Sequence, residues 1–134
     1  MQTFVPYTDF EQIAQCLDYR RLGKQRVEAY QLLQAIARNT GWSNHPAALM
    51  WKATPAALRQ YMRVMIEEWI ARGYNNTMIL PRKSTTFKYP DWWGDERVHS
   101  SHRAALLHKD PTHYSQFGWT EKPAKNYYWP RSNT

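Results

Sequence analysis

The stretch TPAALRQYMRVMIEEWIARGYNN, residues 54–76, decides the fold class. Thr54 can cap a helix, Pro55 suits its first position because the missing N–H has no partner there anyway, and Gly73 supplies a left-handed stop. Between them Leu58, Tyr61, Met62, Met65, Ile66 and Trp69 recur at spacings of three and four, so they share one helical face. That stripe reads as core and not as a cofactor box. A helix of this kind needs other helices to cover its apolar face, and the flanking sequence offers them.

Upstream, TDFEQIAQCL predicts a short helix capped by Thr8 or Asp9, with Phe10, Ile13, Ala14 and Leu17 inward. A second helix is predicted over residues 18–38, with Val27, Tyr30, Leu33, Ile36 and Ala37 inward. Gly23 inside it costs about 1 kcal/mol against alanine, which points to a kink or a close approach. GWSNHPAALMW predicts a short helix begun at Asn44, and DERVHSSHRAALLHKD a last helix, with Pro111 as the stop beyond it. No alternating pattern of useful length predicts a strand. The expected fold is all-α: one compact domain over residues 1–134, with a basic aromatic loop near 78–93 and an irregular aromatic tail near 111–134.

Composition narrows the partner. Eighteen Lys and Arg against eleven Asp and Glu leave a net charge of +7, which favours nucleic acid ahead of an acidic membrane surface or an acidic protein. Seven Trp and nine Tyr interleave with those cations, and rings stack on exposed bases while cations hold phosphates. The one cysteine, Cys16, excludes an internal disulfide and a multi-cysteine zinc site, and among Ile13, Ala14 and Leu17 it reads as a buried thiol. No apolar run approaches the roughly 20 residues of a membrane span, and MQTFVPYTDF is not a signal peptide, so a soluble, cytoplasmic protein is expected.

His99 and His102 stand three apart on the last predicted helix, but no clustered carboxylate or thiol completes a ligand set, and no metal or other cofactor is expected. His102 shares a stripe with Val98, Ala105 and Leu106, where a hydrogen-bonded core histidine fits, and is also a candidate polar contact near a cleft. His45 opens a helix after a loop, where free N–H groups can hold a phosphate or the side chain can act as a cap. Walker, nucleophile-elbow and dinucleotide motifs are absent, and the acids do not cluster as a two-metal nuclease requires.

Metal-free DNA chemistry leaves an amine or an activated water as nucleophile. An amine attacking a sugar C1′ expels the base and forms an imine, provided it is unprotonated. An α-amino group suits this, because its reference pKa is near 8 and neighbouring cations lower it. In DYRRLGKQRVEAY, residues 18–30, Arg20, Arg21, Lys24 and Arg26 concentrate positive charge that can hold phosphates and depress a nearby amine. Lys24 is a second candidate amine, with Glu28 one turn later as proton carrier, although ordinary i,i+4 pairing explains the same spacing.

The order of motifs resembles the pyrimidine-dimer DNA glycosylase/AP lyase family, the phage endonuclease V type of excision enzyme. YRRLGKQRV, residues 19–27, resembles that family's Tyr-Arg-Glu-Leu-Pro-Arg-Val segment. ALRQYMRVMIEEWIARGYN, residues 57–75, is similar to its long central helix, and DPTHYSQFG, residues 110–118, to its C-terminal aromatic segment. The resemblance implies a compact all-α fold with the N-terminus threaded between helices, and an N-terminal amine that forms the imine before β-elimination. It implies DNA-contacting roles for Arg20 and Arg26 and an aromatic patch at Tyr114 and Phe117.

Two positions depart from the pattern: Arg21 stands where the family has its essential glutamate, and Gln2 should block removal of the initiator Met. Glu28 and the amine of Met1 are then the expected acid/base and nucleophile. The expected function is a cofactor-free glycosylase with AP-lyase activity on a damaged or modified base, acting as a monomer on double-stranded DNA. Arg20, Arg21, Lys24 and Arg26 would hold phosphates, with His45 and His102 as further contacts. Trp92, Trp93 and Tyr114 would support a base drawn from the stack. The alternatives are a non-catalytic DNA-binding module on the same fold and a phage-type inhibitor that turns the basic face to an acidic protein.

Overall fold

The central helix α4 spans Pro55–Ala71, with Thr54 at its N-cap and Pro55 in its first turn. It stops where the Gly73 amide returns to the Ile70 carbonyl at 2.9 Å and Gly73 takes a φ of 89°. Leu58, Tyr61, Met62, Met65 and Ile66 are buried along it, as the spacing predicts. The computed structural model describes residues 2–39, 41–83 and 86–130. Around α4 lie α1 (Phe10–Cys16), α2 (Tyr19–Arg38), α3 (Pro46–Trp51), α5 (Glu96–Lys109) and the single turn α6 (Pro111–Tyr114). Among the described residues there is no strand, and the fold is all-α. Among the described residues, no helix is long and apolar enough to cross a membrane.

Helix α2 packs against α4 through a different face from the one expected. Leu22, Gln25, Ala29, Leu32 and Ala35 are buried, whereas Val27 and Tyr30 are exposed and Leu33 and Ile36 only half-buried. The cause is Gln25: a polar residue at the centre of the buried stripe breaks the apolar pattern and turns the predicted face. Gly23 is explained by close approach, because a Cβ there would stand 3.0 Å from Trp69 Cζ3. The loop near 78–93 is a cover where it is described. Phe87 stacks on Phe10 at 5.9 Å, and Trp93 meets the same ring edge-on at 5.1 Å.

Residues 2–5 run through the middle of the helices, all four of them buried. Side chains from four helices, α2, α3, α4 and α5, fix them. Thr3 Oγ1 accepts from Trp51 Nε1 at 2.7 Å, and the Phe4 carbonyl accepts from Tyr61 Oη at 2.8 Å. The Phe4 amide donates to Gln25 Oε1 at 3.0 Å. From α5, His99 and His102 hold the two backbone groups of Val5. An extended segment has no backbone partners of its own, so buried side chains must supply them. Beyond α6 and a 3-10 turn over Ser115–Phe117 the chain is irregular and lies along α5, with the Ala124 amide on the Ala104 carbonyl at 3.1 Å and the Tyr128 amide on Ser101 Oγ at 3.0 Å.

Candidate functional site

A cleft of about 480 Å³ opens where the first residues of the chain meet α2, the end of α5 and the C-terminal tail. The buried side chains of Gln2 and Gln25 lie at its base beside Glu28. Arg20, Arg21 and Lys24 line it from α2, and Lys109 and Tyr127 from the C-terminal half of the chain. Helical spacing explains the α2 contribution, since residues 21, 24, 25 and 28 fall on one stripe.

Glu28 is anchored at the start of the chain. Its Oε2 accepts from Gln25 Nε2 at 3.0 Å and from the Gln2 backbone amide at 3.4 Å. Gln25 spends its whole amide on this junction: Nε2 also donates to the Gln2 carbonyl at 2.9 Å, and Oε1 accepts from Phe4 N–H and Tyr61 O–H. Glu28 therefore bonds to Gln25 and the chain start, and the described ion pairs include none with Lys24. Lys24 is exposed at the rim.

Arg21 is held by Asp18, the N-cap of α2, at 3.1 Å. Burial opposes the charge of Asp18, but the Tyr114 hydroxyl at 2.5 Å and Arg21 together hold the carboxyl below its usual range. The carboxylate thus persists as the anchor for Arg21. Arg20 is exposed, with its Nε on the Tyr19 hydroxyl at 3.2 Å.

Several residues expected at a DNA surface lie elsewhere. Arg26 does not line the cleft: its guanidinium sits 4.1 Å over the Trp69 ring and donates to Asn76 Oδ1 at 2.9 Å. His102 is fully enclosed, and burial pushes its pKa down to about 3, so it is a neutral core histidine with no surface to offer DNA. Tyr114 is likewise enclosed, its hydroxyl committed to Asp18. Trp92 is buried with Nε1 on the Met50 carbonyl at 2.7 Å, and half-buried Trp93 packs on Phe10 and His99. Phe117 is half-buried and stacked on Trp119. His45 caps α3 by accepting from the Ala47 amide at 3.0 Å, which turns its Nδ1 toward the helix and away from a phosphate. Met1 lies outside the described residues.

The residues missed by sequence reading are Gln2, Gln25, Lys109 and Tyr127. Gln25 carried a readable signal, since the apolar stripe of Leu22, Ala29 and Leu32 runs through its position. Lys109 looked like an ordinary cation in the last turn of a helix, and Tyr127 like one ring of an irregular tail. Cys16 is buried, as its surroundings predict, and burial pushes its thiol up to about 12. His99 and His102 serve the Val5 backbone, and among the described residues no group of three or more His, Cys, Asp or Glu is arranged to hold a metal.

Residues 1–81 match a family model described as pyrimidine dimer DNA glycosylase. No curated protein and no solved structure matches the chain.

Proposed function

The chain belongs to the pyrimidine dimer DNA glycosylase family, and from that premise we propose that it excises a damaged or modified base from double-stranded DNA and then cuts the strand as an AP lyase. The nucleophile is the α-amine of Met1. It attacks the sugar C1′ and the glycosidic bond breaks with its electron pair leaving on the base, which takes up a proton. The C1′–O4′ bond then opens, O4′ taking a proton, as the nitrogen's electron pair forms the C1′=N bond of the imine. Removal of a C2′ proton then expels the 3′ phosphate by β-elimination. Glu28 carries the protons in both stages, while Arg20, Arg21 and Lys24 hold the strand by its phosphates.

The observation that carries this reading is the 3.4 Å contact between the Gln2 amide and Glu28 Oε2, in a cleft lined by cations. A carboxylate beside the residue next to the amine is the arrangement that imine chemistry asks for. It also accounts for Arg21 at the position where the resemblance expects a glutamate: the carboxylate is supplied two turns later on the same helix. Among the described residues, Lys24 and Lys109 are the amines that line the cleft.

The test is borohydride trapping on a duplex with one abasic site, followed by mass mapping of the adduct. The reading expects an adduct on Met1 and a loss of at least about a hundredfold in trapping rate for Glu28→Gln. An adduct on Lys24 would move the nucleophile to that side chain. Salt-sensitive DNA binding with no adduct would make the protein a non-catalytic DNA-binding module, and no DNA binding would favour a protein partner.

A further inference from the structure

The family match ends at residue 81, yet the cleft is completed by residues beyond it. Lys109 stands exposed in the last turn of α5 and lines the cleft that Arg20, Arg21 and Lys24 line from α2. Tyr127 lines the same cleft from the tail. Its ring is fixed edge-on by Phe4 at 6.1 Å, His102 at 5.5 Å and Trp129 at 5.7 Å. The tail that presents it is strapped to α5 by the Ala124 and Tyr128 amides and by Glu121, which pairs with Arg103 at 2.8 Å.

A damaged nucleotide exposes base faces that the intact duplex keeps stacked, and an enzyme acting there needs a ring to cover them. Of the rings to which the sequence pointed, Trp92 and Tyr114 are enclosed, and half-buried Trp93 and Phe117 do not line the cleft. Phe4 also lines the cleft but is nearly covered. Tyr127 is the half-buried ring that remains, beside Glu28 and between cations from two elements.

We propose that Tyr127 and Lys109 form the second wall of the DNA site, the Tyr127 ring stacking on a base face exposed at the damaged position and Lys109 holding a phosphate of the same strand. This inference rests on the glycosylase reading above. Burial and the charge of Glu28 both push the Tyr127 hydroxyl above the ordinary phenol range, so it stays a neutral hydrogen-bond donor toward the strand.

The test uses the full chain and two duplexes, one intact and one carrying a single tetrahydrofuran abasic analogue. Tyr127→Leu is expected to lower the preference for the abasic duplex about tenfold, with Tyr127→Phe keeping it within about twofold. Lys109→Gln is expected to reduce the slope of log affinity against log salt by about one on both duplexes. Lys109 is exposed and Tyr127→Phe keeps the ring contacts, so these two variants remain informative even if Tyr127→Leu folds poorly. Loss of stability alone would move neither the preference ratio nor the salt slope. If both stay at wild-type values while borohydride still traps the wild-type protein on a true abasic site, the second wall is wrong and the family reading stands. If the wild type neither traps nor prefers the abasic duplex, both fall together.

Discussion

His102 Nδ1 accepts the Val5 amide hydrogen at 2.9 Å with the imidazole fully enclosed, so a core histidine holds the segment that leads to the cleft. His99 completes the grip. Its Nε2 accepts from the Gly94 amide at 3.0 Å, which leaves Nδ1 to donate to the Val5 carbonyl at 2.7 Å. Protonation of His102 would turn its acceptor into a second donor facing an N–H.

This makes stability fall on acidification. The folded-state pKa of His102 is pushed down to about 3, first by burial and then by His99. The unfolded chain takes up the proton near pH 6.5, so between about pH 6.5 and 3 it binds more protons than the folded chain. The His102 contribution is complete above that window and is lost as pH falls through it, by up to about 1.4 kcal/mol per pH unit. Urea melts between pH 7.5 and 4.5 should show this slope. His102→Asn, whose amide oxygen can still accept from Val5, should be less stable at pH 7 and flatter with pH.

Gln25 is the polar hub beneath the cleft. Gln25→Leu removes the partners of the Phe4 amide and the Gln2 carbonyl, leaves the Tyr61 hydroxyl to the Phe4 carbonyl alone, and leaves Glu28 with the Gln2 amide alone. Buried groups left without partners cost about 1–3 kcal/mol each, so a loss of at least about 2 kcal/mol is expected in chemical denaturation. Borohydride trapping should fall by more than the change in folded fraction, because Glu28 loses its bond to Gln25.

Arg26 and Arg20 should separate cleanly. Arg26→Ala removes the guanidinium from Trp69 and from Asn76, and should cost roughly 1 kcal/mol of stability while leaving the salt slope of DNA binding unchanged. Arg20→Ala should do the reverse, reducing the slope by about one with little change in melting temperature. A reduced slope for Arg26→Ala would return that residue to the DNA surface.

Gly23 marks a close approach of α2 to Trp69 of α4. Alanine would gain about 1 kcal/mol in helix propensity but bring a carbon to 3.0 Å from a ring whose Nε1 donates to the Asn75 carbonyl at 2.7 Å. Gly23→Ala should therefore be close to neutral. Gly23→Val should lose about 1–3 kcal/mol, as overpacked sites do, and its thermal melt would report the difference.

Much of this protein is legible in its sequence because helix signals are local. The caps at Asp9, Thr54 and Asp95, the proline openings at Pro46 and Pro55, and the period of α4 depend only on neighbours within a few residues. The basic stripe at Arg20, Arg21 and Lys24 is visible for the same reason, and Gly23 announces a close approach without naming Trp69. The tertiary structure decided which face of α2 turns inward. Gln25 is buried because Phe4 and Tyr61, 21 and 36 residues away, give its amide the bonds that water would otherwise supply. The same long-range packing enclosed Tyr114, Trp92 and His102 and brought Tyr127 and Lys109 to the cleft. A residue type states what chemistry is available, but burial and bonding depend on segments that meet only when the chain has folded.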